Sequence, residues 1–142
     1  MAFGALADGV EGFRRSHEQA RHARRVALLH GHRPGSVTLY ERVALTALAC
    51  ADLDHARDFT EAELGELAAP DESTRRLAAT LLAYLEERSS PKRAARRLGV
   101  HENTVTNRVR SAQELLPSPI DERIPELLVA LRLRAVLEQP GH

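Results

Sequence analysis

Four polar side chains set the chemistry open to this chain. Asn103, Thr106, Asn107 and Arg110 are spaced by three, one and three residues. On a helix that spacing puts them on one side, with Val105 and Val109 on the other. An asparagine amide can pair with both polar atoms of an adenine edge, and a threonine can touch a thymine methyl. An arginine can read guanine or hold a phosphate. Such residues on one exposed face suit the edge of a DNA duplex.

The element that must present them is residues 89–116, SSPKRAARRLGVHENTVTNRVRSAQELL. Ser90 suits a helix cap, and Pro91 fits the first turn, where its missing N–H costs nothing. Ala94, Ala95 and Leu98 form a small apolar face. Gly99 allows positive φ and a sharp turn, and Val100 fills the corner. A second helix, at about residues 102–116, buries Val105, Val109, Ala112 and Leu116. The turn is too short for an antiparallel hairpin and suits two helices at a steep angle, a helix-turn-helix. Its second helix is then available to a major groove.

Charge agrees with this reading. Lys92, Arg93, Arg96, Arg97, Arg108 and Arg110 face only Glu102 and Glu114, a net charge of +4 on a chain that is neutral overall. Residues 34–88 carry −6 and residues 1–33 carry +3. The basic excess therefore falls on the segment that would meet phosphate.

Composition excludes several classes. Aromatics are only 4% of the chain while apolar residues are 43%, so the core must rest on Leu, Ala and Val, which favours packed helices. The expected fold is mainly α, a helical bundle, with one short strand near residues 36–40 (SVTLY). The single cysteine, Cys50, excludes an internal disulfide and thiolate-rich zinc sites, and reads as a small core residue. His17 and His22 are five apart, off a common helical face, and His30 and His32 lack nearby carboxylates. No metal or other cofactor is expected. No apolar run is long enough to span a membrane, and the N-terminus lacks a secretion signal, so a cytoplasmic protein is expected. No acid/base pair, nucleophile or phosphate loop points to an enzyme.

The other elements follow from periodicity and punctuation. Residues 11–30 read as an arginine-rich helix with Phe13, Ala20, Ala23, Val26, Ala27 and Leu29 on its apolar side. A second helix covers residues 41–51, and a short helical turn covers residues 52–58. Thr60-Glu61-Ala62-Glu63 reads as a capping box opening a helix to about Ala68. Pro70-Asp71 breaks it, and residues 73–88 form a longer helix. Pro117 and Pro119 end the groove helix, and a last helix runs over about residues 125–138. Asp52, Asp54, Asp58, Glu61, Glu63 and Glu66 read as a solvated acidic face. Two segments result, a helical one of residues 1–70 and a helix-turn-helix domain of residues 71–142.

These residues support a family comparison. A leucine-rich helix ends in Tyr84-Leu85, an Ala-rich first helix follows, and His101, Asn103 and Thr104 enter the next helix. Arg108-Val109 lies within it, and a closing Ala-Leu-Arg-Leu run stands at residues 130–133. In these features residues 77–137 resemble the C-terminal DNA-binding domain of PucR-type and CdaR-type bacterial transcription regulators. Residues 13–48 resemble the segment just upstream in those proteins, the tail of a degenerate GGDEF-like domain. Family members are usually longer, with an effector-sensing region upstream. The resemblance thus implies a C-terminal fragment or a shortened paralogue, its effector bound by an upstream region outside this chain.

The resemblance implies a Fis-type helix-turn-helix. It places Ser90, Lys92 and Arg93 on phosphate, and His101, Asn103, Thr104 and Asn107 toward the groove. The chain departs from the family where Glu102 replaces a basic residue, and where Thr106 and Asn107 replace an arginine and an aromatic. Two roles are open to Glu102: accepting from a cytosine amine, or stabilising the helix N-terminus through the dipole. The candidate DNA-binding set is Ser90, Lys92, Arg93, His101, Glu102, Asn103, Thr104, Thr106, Asn107, Arg108 and Arg110.

The expected partners are double-stranded DNA and a second copy of the chain. A two-fold dimer spans two half-sites. Its candidate surfaces are the N-terminal helix and the last helix, around Leu127, Leu131, Leu133 and Val136. Residues 37–40 could also pair with their twin across a dimer. The alternative function is a helical protein-interaction module whose helix-turn-helix does not bind DNA.

Overall fold

The computed structural model describes residues 2–3, 9–29 and 38–138. The architecture is mainly α, as composition requires. The chain divides into two compact units, one of Met1–Ala56 with Ala135–His142, the other of Arg57–Arg134.

In the first unit, α1 (Gly9–Leu29) packs on α2 (Tyr40–Ala49). Ala23, Val26, Thr46 and Cys50 are buried there. Burial pushes the Cys50 thiol up, and the Arg25 charge opposes this in part. A protonated, covered thiol is a core residue, not a nucleophile. Phe13 departs from the expected pattern: it is 72% exposed, its ring stacked on His17 with centroids 6.4 Å apart. Its ring contact is one turn along the same helix, and most of the ring stays in solvent.

The expected strand is shorter than its β-propensity suggested, and it has a partner. β1 (Ala2–Phe3) pairs in parallel with β2 (Thr38–Leu39), Ala2 opposite Thr38. Tyr40 already belongs to α2, and residues 36 and 37 lie outside the described residues. The partner is thus a segment of the same chain, which removes the reason for seeking one across a dimer.

A single helix, α3 (Leu53–Leu64), replaces the helical turn and separate capped helix expected over residues 52–68. Asp52 supplies the start: its Oδ1 accepts from the backbone N–H of Asp54 at 3.1 Å and His55 at 3.0 Å. With that earlier cap in place, Thr60 lies inside the helix, 5% exposed, and opens nothing. A 3-10 turn (Gly65–Ala68) follows. Gly65 has φ +53°, and a Cβ there would meet the Pro117 ring at 3.1 Å and the Leu115 carbonyl oxygen at 3.3 Å. Glycine is needed both for the conformation and for the approach of two chain segments.

The second unit continues with α4 (Glu72–Glu86), α5 (Pro91–Leu98), α6 (Glu102–Leu115), a 3-10 turn (Ile120–Glu122) and α7 (Ile124–Leu137) up to Arg134. Asp71 caps α4, accepting from the Thr74 N–H at 3.0 Å. Leu64, Leu67, Ala78, Leu81, Leu85, Ala112, Leu116, Leu127, Ala130 and Leu131 form one buried cluster. Leu64 and Leu67, on the N-terminal side of the boundary expected at residue 70, thus share a core with the helix-turn-helix. Leu127, Leu131, Leu133 and Val136 are exposed by only 1–2%. The four residues expected to offer a dimer surface on the last helix are therefore buried within the chain itself.

Long-range polar contacts tie the unit together. Arg123 forks onto Glu63 with hydrogen bonds of 2.8 and 2.6 Å, so Glu63 is not part of a solvated acidic face. Buried Arg134 donates to the Ala69 carbonyl oxygen at 2.7 Å and to Thr74 Oγ1 at 3.3 Å. Those bonds hold the Pro70-Asp71 break against α7. Gln113 clamps the loop after α6, donating to the Ser118 carbonyl oxygen at 3.2 Å and accepting from the Ile120 N–H at 2.8 Å.

Candidate nucleic-acid interface

Local chemistry builds the two helices that carry the candidate residues. Ser90 caps α5, its Oγ accepting from the Arg93 N–H at 3.3 Å, with Pro91 in the first turn. Gly99 ends α5 at φ +66°, a left-handed position that a side chain would strain. The Val100 N–H returns to the Ala95 carbonyl oxygen at 3.1 Å. His101 then caps α6: its Nδ1 accepts from the Asn103 N–H at 3.1 Å. The cap side chain is thus His101.

Ala94, Ala95 and Val105 form a second buried cluster, with Tyr84, Leu98, Val100 and Val109 against it. The methyl-sized side chains of the two alanines let α5 approach α6 closely. Val105 and Ala112 are fully buried, and Asn103, Thr106, Asn107 and Arg110 are exposed, so the two faces of α6 separate as the spacing required.

The remaining candidates divide. Lys92 is exposed, and no hydrogen bond or ion pair holds it among the described residues. Arg93 instead donates to the Glu87 carbonyl oxygen at 2.8 Å and lies 4.0 Å from the Glu87 carboxylate. Arg97 meets Glu86 at 2.7 Å and Glu87 at 3.6 Å. Arg108 is half-buried and donates to Thr80 Oγ1 at 3.4 Å, which ties α6 to α4. Glu102 is exposed in the first turn of α6, where a carboxylate suits the dipole. Thr104 is half-buried.

Two cations were not singled out by sequence. Arg96 is exposed one turn from Lys92, and Arg88 is exposed just before the α5 cap. Neither has an ion pair among the described residues. No sequence signal set Arg96 apart, because α5 holds no carboxylate and the partners of Arg93 and Arg97 lie at the end of α4. None existed for Arg88, whose φ of +55° depends on how α4 ends.

Two helices joined by a glycine turn, the second with a buried apolar face and an exposed polar one, define a helix-turn-helix. Residues 77–134 match the family model described as the PucR C-terminal helix-turn-helix domain. The match points to a DNA-binding transcription-regulator family. It begins at Leu77 and does not reach residues 13–48, likened above to a GGDEF-like tail. No curated protein and no solved structure matches the chain. No helix among the described residues is long and apolar enough to cross a membrane.

Proposed function

We propose that this protein regulates transcription by binding duplex DNA, with α6 in the major groove and the start of α5 on the phosphate backbone. The observation that carries the reading is the exposed row Asn103, Thr106, Asn107 and Arg110, opposite the fully buried Val105 and Ala112. Its side chains are of the types that recognise base edges. Ser90 and Lys92 serve phosphate, and Arg93 joins them only by leaving Glu87. His101 and Thr104 set the entry to the groove helix, Arg108 braces it from behind, and Glu102 favours its N-terminus. The role is regulatory rather than catalytic.

The protein acts as a dimer in this reading, since one groove helix contacts few bases. The first unit supports self-association: Val10, Phe13, Leu45 and Leu48 are exposed by 81, 72, 49 and 73%. Such apolar exposure is characteristic of an interaction face.

The test is binding of random-sequence and genomic duplexes over a salt series. Four or so phosphates held per protomer give a slope of log K against log salt of about −4. Selective, salt-sensitive binding establishes the regulator. A folded protein that binds no duplex at low salt would instead be the helical interaction module.

A further inference from the structure

The inference rests on the DNA-binding reading and concerns which base α6 reads. The Arg110 guanidinium donates through Nη2 to the Asn107 side-chain oxygen, one turn back along the helix. Guanidinium groups only donate, so the amide atom facing Arg110 is the oxygen. That contact determines what each side chain still offers.

Reading adenine with asparagine takes both ends of the amide. The oxygen accepts from the adenine amine while the NH₂ donates to the ring nitrogen. In Asn107 one of the two oxygen lone pairs is engaged by Arg110, and the amide is held with its oxygen turned to the guanidinium. Arg110 gives up one N–H and keeps the rest of its fork. Together the two residues present mostly hydrogen-bond donors, the Arg110 fork and the Asn107 NH₂, against one remaining lone pair. In the major groove guanine is the base whose edge offers two adjacent acceptors, N7 and O6.

The direction of Arg110 supports the same conclusion. Glu114 stands four residues further along α6, a spacing at which a helix allows an ion pair. Among the described residues no ion pair joins them, and the guanidinium turns toward Asn107 instead. That is the N-terminal direction along α6, the end that meets base edges in helix-turn-helix proteins. Thr106 offers the opposite polarity. Its hydroxyl donates to the Glu102 carbonyl oxygen at 3.2 Å, which leaves the lone pairs of an exposed oxygen free to accept.

We propose that Arg110 reads a guanine in each half-site and that Asn107 is the positioning residue that holds it there.

The experiment is selection of bound duplexes from a random library, with fold checked by circular dichroism. The proteins are the full chain and its Arg110→Ala, Asn107→Ala and Asn107→Asp variants. The wild type should enrich one guanine per half-site. Arg110→Ala should lose about tenfold or more of that discrimination. Asn107→Ala should weaken it, because Arg110 is then released toward Glu114. Asn107→Asp should restore it, since a carboxylate still accepts from Arg110. Rescue by aspartate separates positioning from base reading, because a carboxylate cannot donate to adenine. Enrichment of adenine that depends on Asn107 and ignores Arg110 would overturn the inference and leave the regulator reading intact. Selection indifferent to both residues would do the same. Failure of the folded wild type to retain any duplex would overturn both.

Discussion

Arg97 and Glu86 lie 2.7 Å apart, and Glu86 also receives Arg132 at 3.0 Å. One carboxylate at the end of α4 therefore joins α5 to α7. Glu87 similarly holds Arg93. The charge of +4 counted along residues 89–116 is thus partly neutralised by two acids just before that segment.

This division predicts unequal effects of charge removal. Lys92→Ala should reduce the steepness of the salt dependence of DNA binding by about 1. Arg97→Ala should leave the slope unchanged and cost under about 1 kcal/mol of stability, as exposed ion pairs do. Fluorescence anisotropy across a salt series, with urea melts, reads both. Equal changes of slope in the two variants would contradict the division.

The two glycines with positive φ at turns should differ in cost. Nothing lies near a Cβ placed at Gly99, so Gly99→Ala meets only the left-handed penalty. That is about 1 kcal/mol after the gain from a stiffer unfolded chain. Gly65→Ala adds a clash with Pro117 and Leu115, and should cost about 3 kcal/mol. Urea denaturation measures both. Similar midpoints for the two variants would mean that the Gly65 contact relaxes freely.

Legibility in the sequence followed the range of the interaction. Ser90, Pro91 and Gly99 act on their own backbone, so both ends of α5 could be read directly. The side-chain spacing of α6 was equally legible, because burial of Val105 and Ala112 forces the opposite face outward. Thr60 misled because its motif is local while the choice between two caps is not. Asp52 starts the helix first, and Thr60 is then buried by packing. The fork of Arg123 on Glu63 spans 60 residues and left no local trace. Within the site, base-reading types were visible, but the link of Asn107 to Arg110 and the turn of Arg108 toward Thr80 depend on rotamers and on α4.

Acid should weaken the start of α4. The Thr74 backbone N–H, then its hydroxyl, hold the Asp71 carboxyl below the usual carboxylate range. A depressed folded value means that the cap stabilises above the unfolded pKa, about 3.9, and is lost as pH falls through the folded value. Asp71→Asn keeps an acceptor for the cap without titrating. Melting temperatures from pH 7 to pH 2 should show the wild type losing ground relative to Asp71→Asn in the acid range. A constant difference between the two proteins across that range would count against the assignment.

The end of α4 holds strain that a single substitution should release. Arg88 and Ser89 have φ of +55° and +56°, left-handed positions that glycine usually takes. The Arg88 N–H bonds the Leu85 carbonyl oxygen at 3.1 Å, and the Ser89 N–H bonds that of Tyr84 at 2.9 Å. These bonds close the helix end and bring the chain to Ser90, where α5 begins. Each such residue costs about 1 kcal/mol or more relative to glycine. Arg88→Gly should therefore stabilise the protein by about 0.5 kcal/mol, after the larger entropy of the unfolded chain is counted. A lower urea midpoint for Arg88→Gly would show instead that the arginine side chain makes up for its own strain. Weaker duplex binding by the same variant at low salt would place Arg88 among the phosphate contacts, beside Lys92.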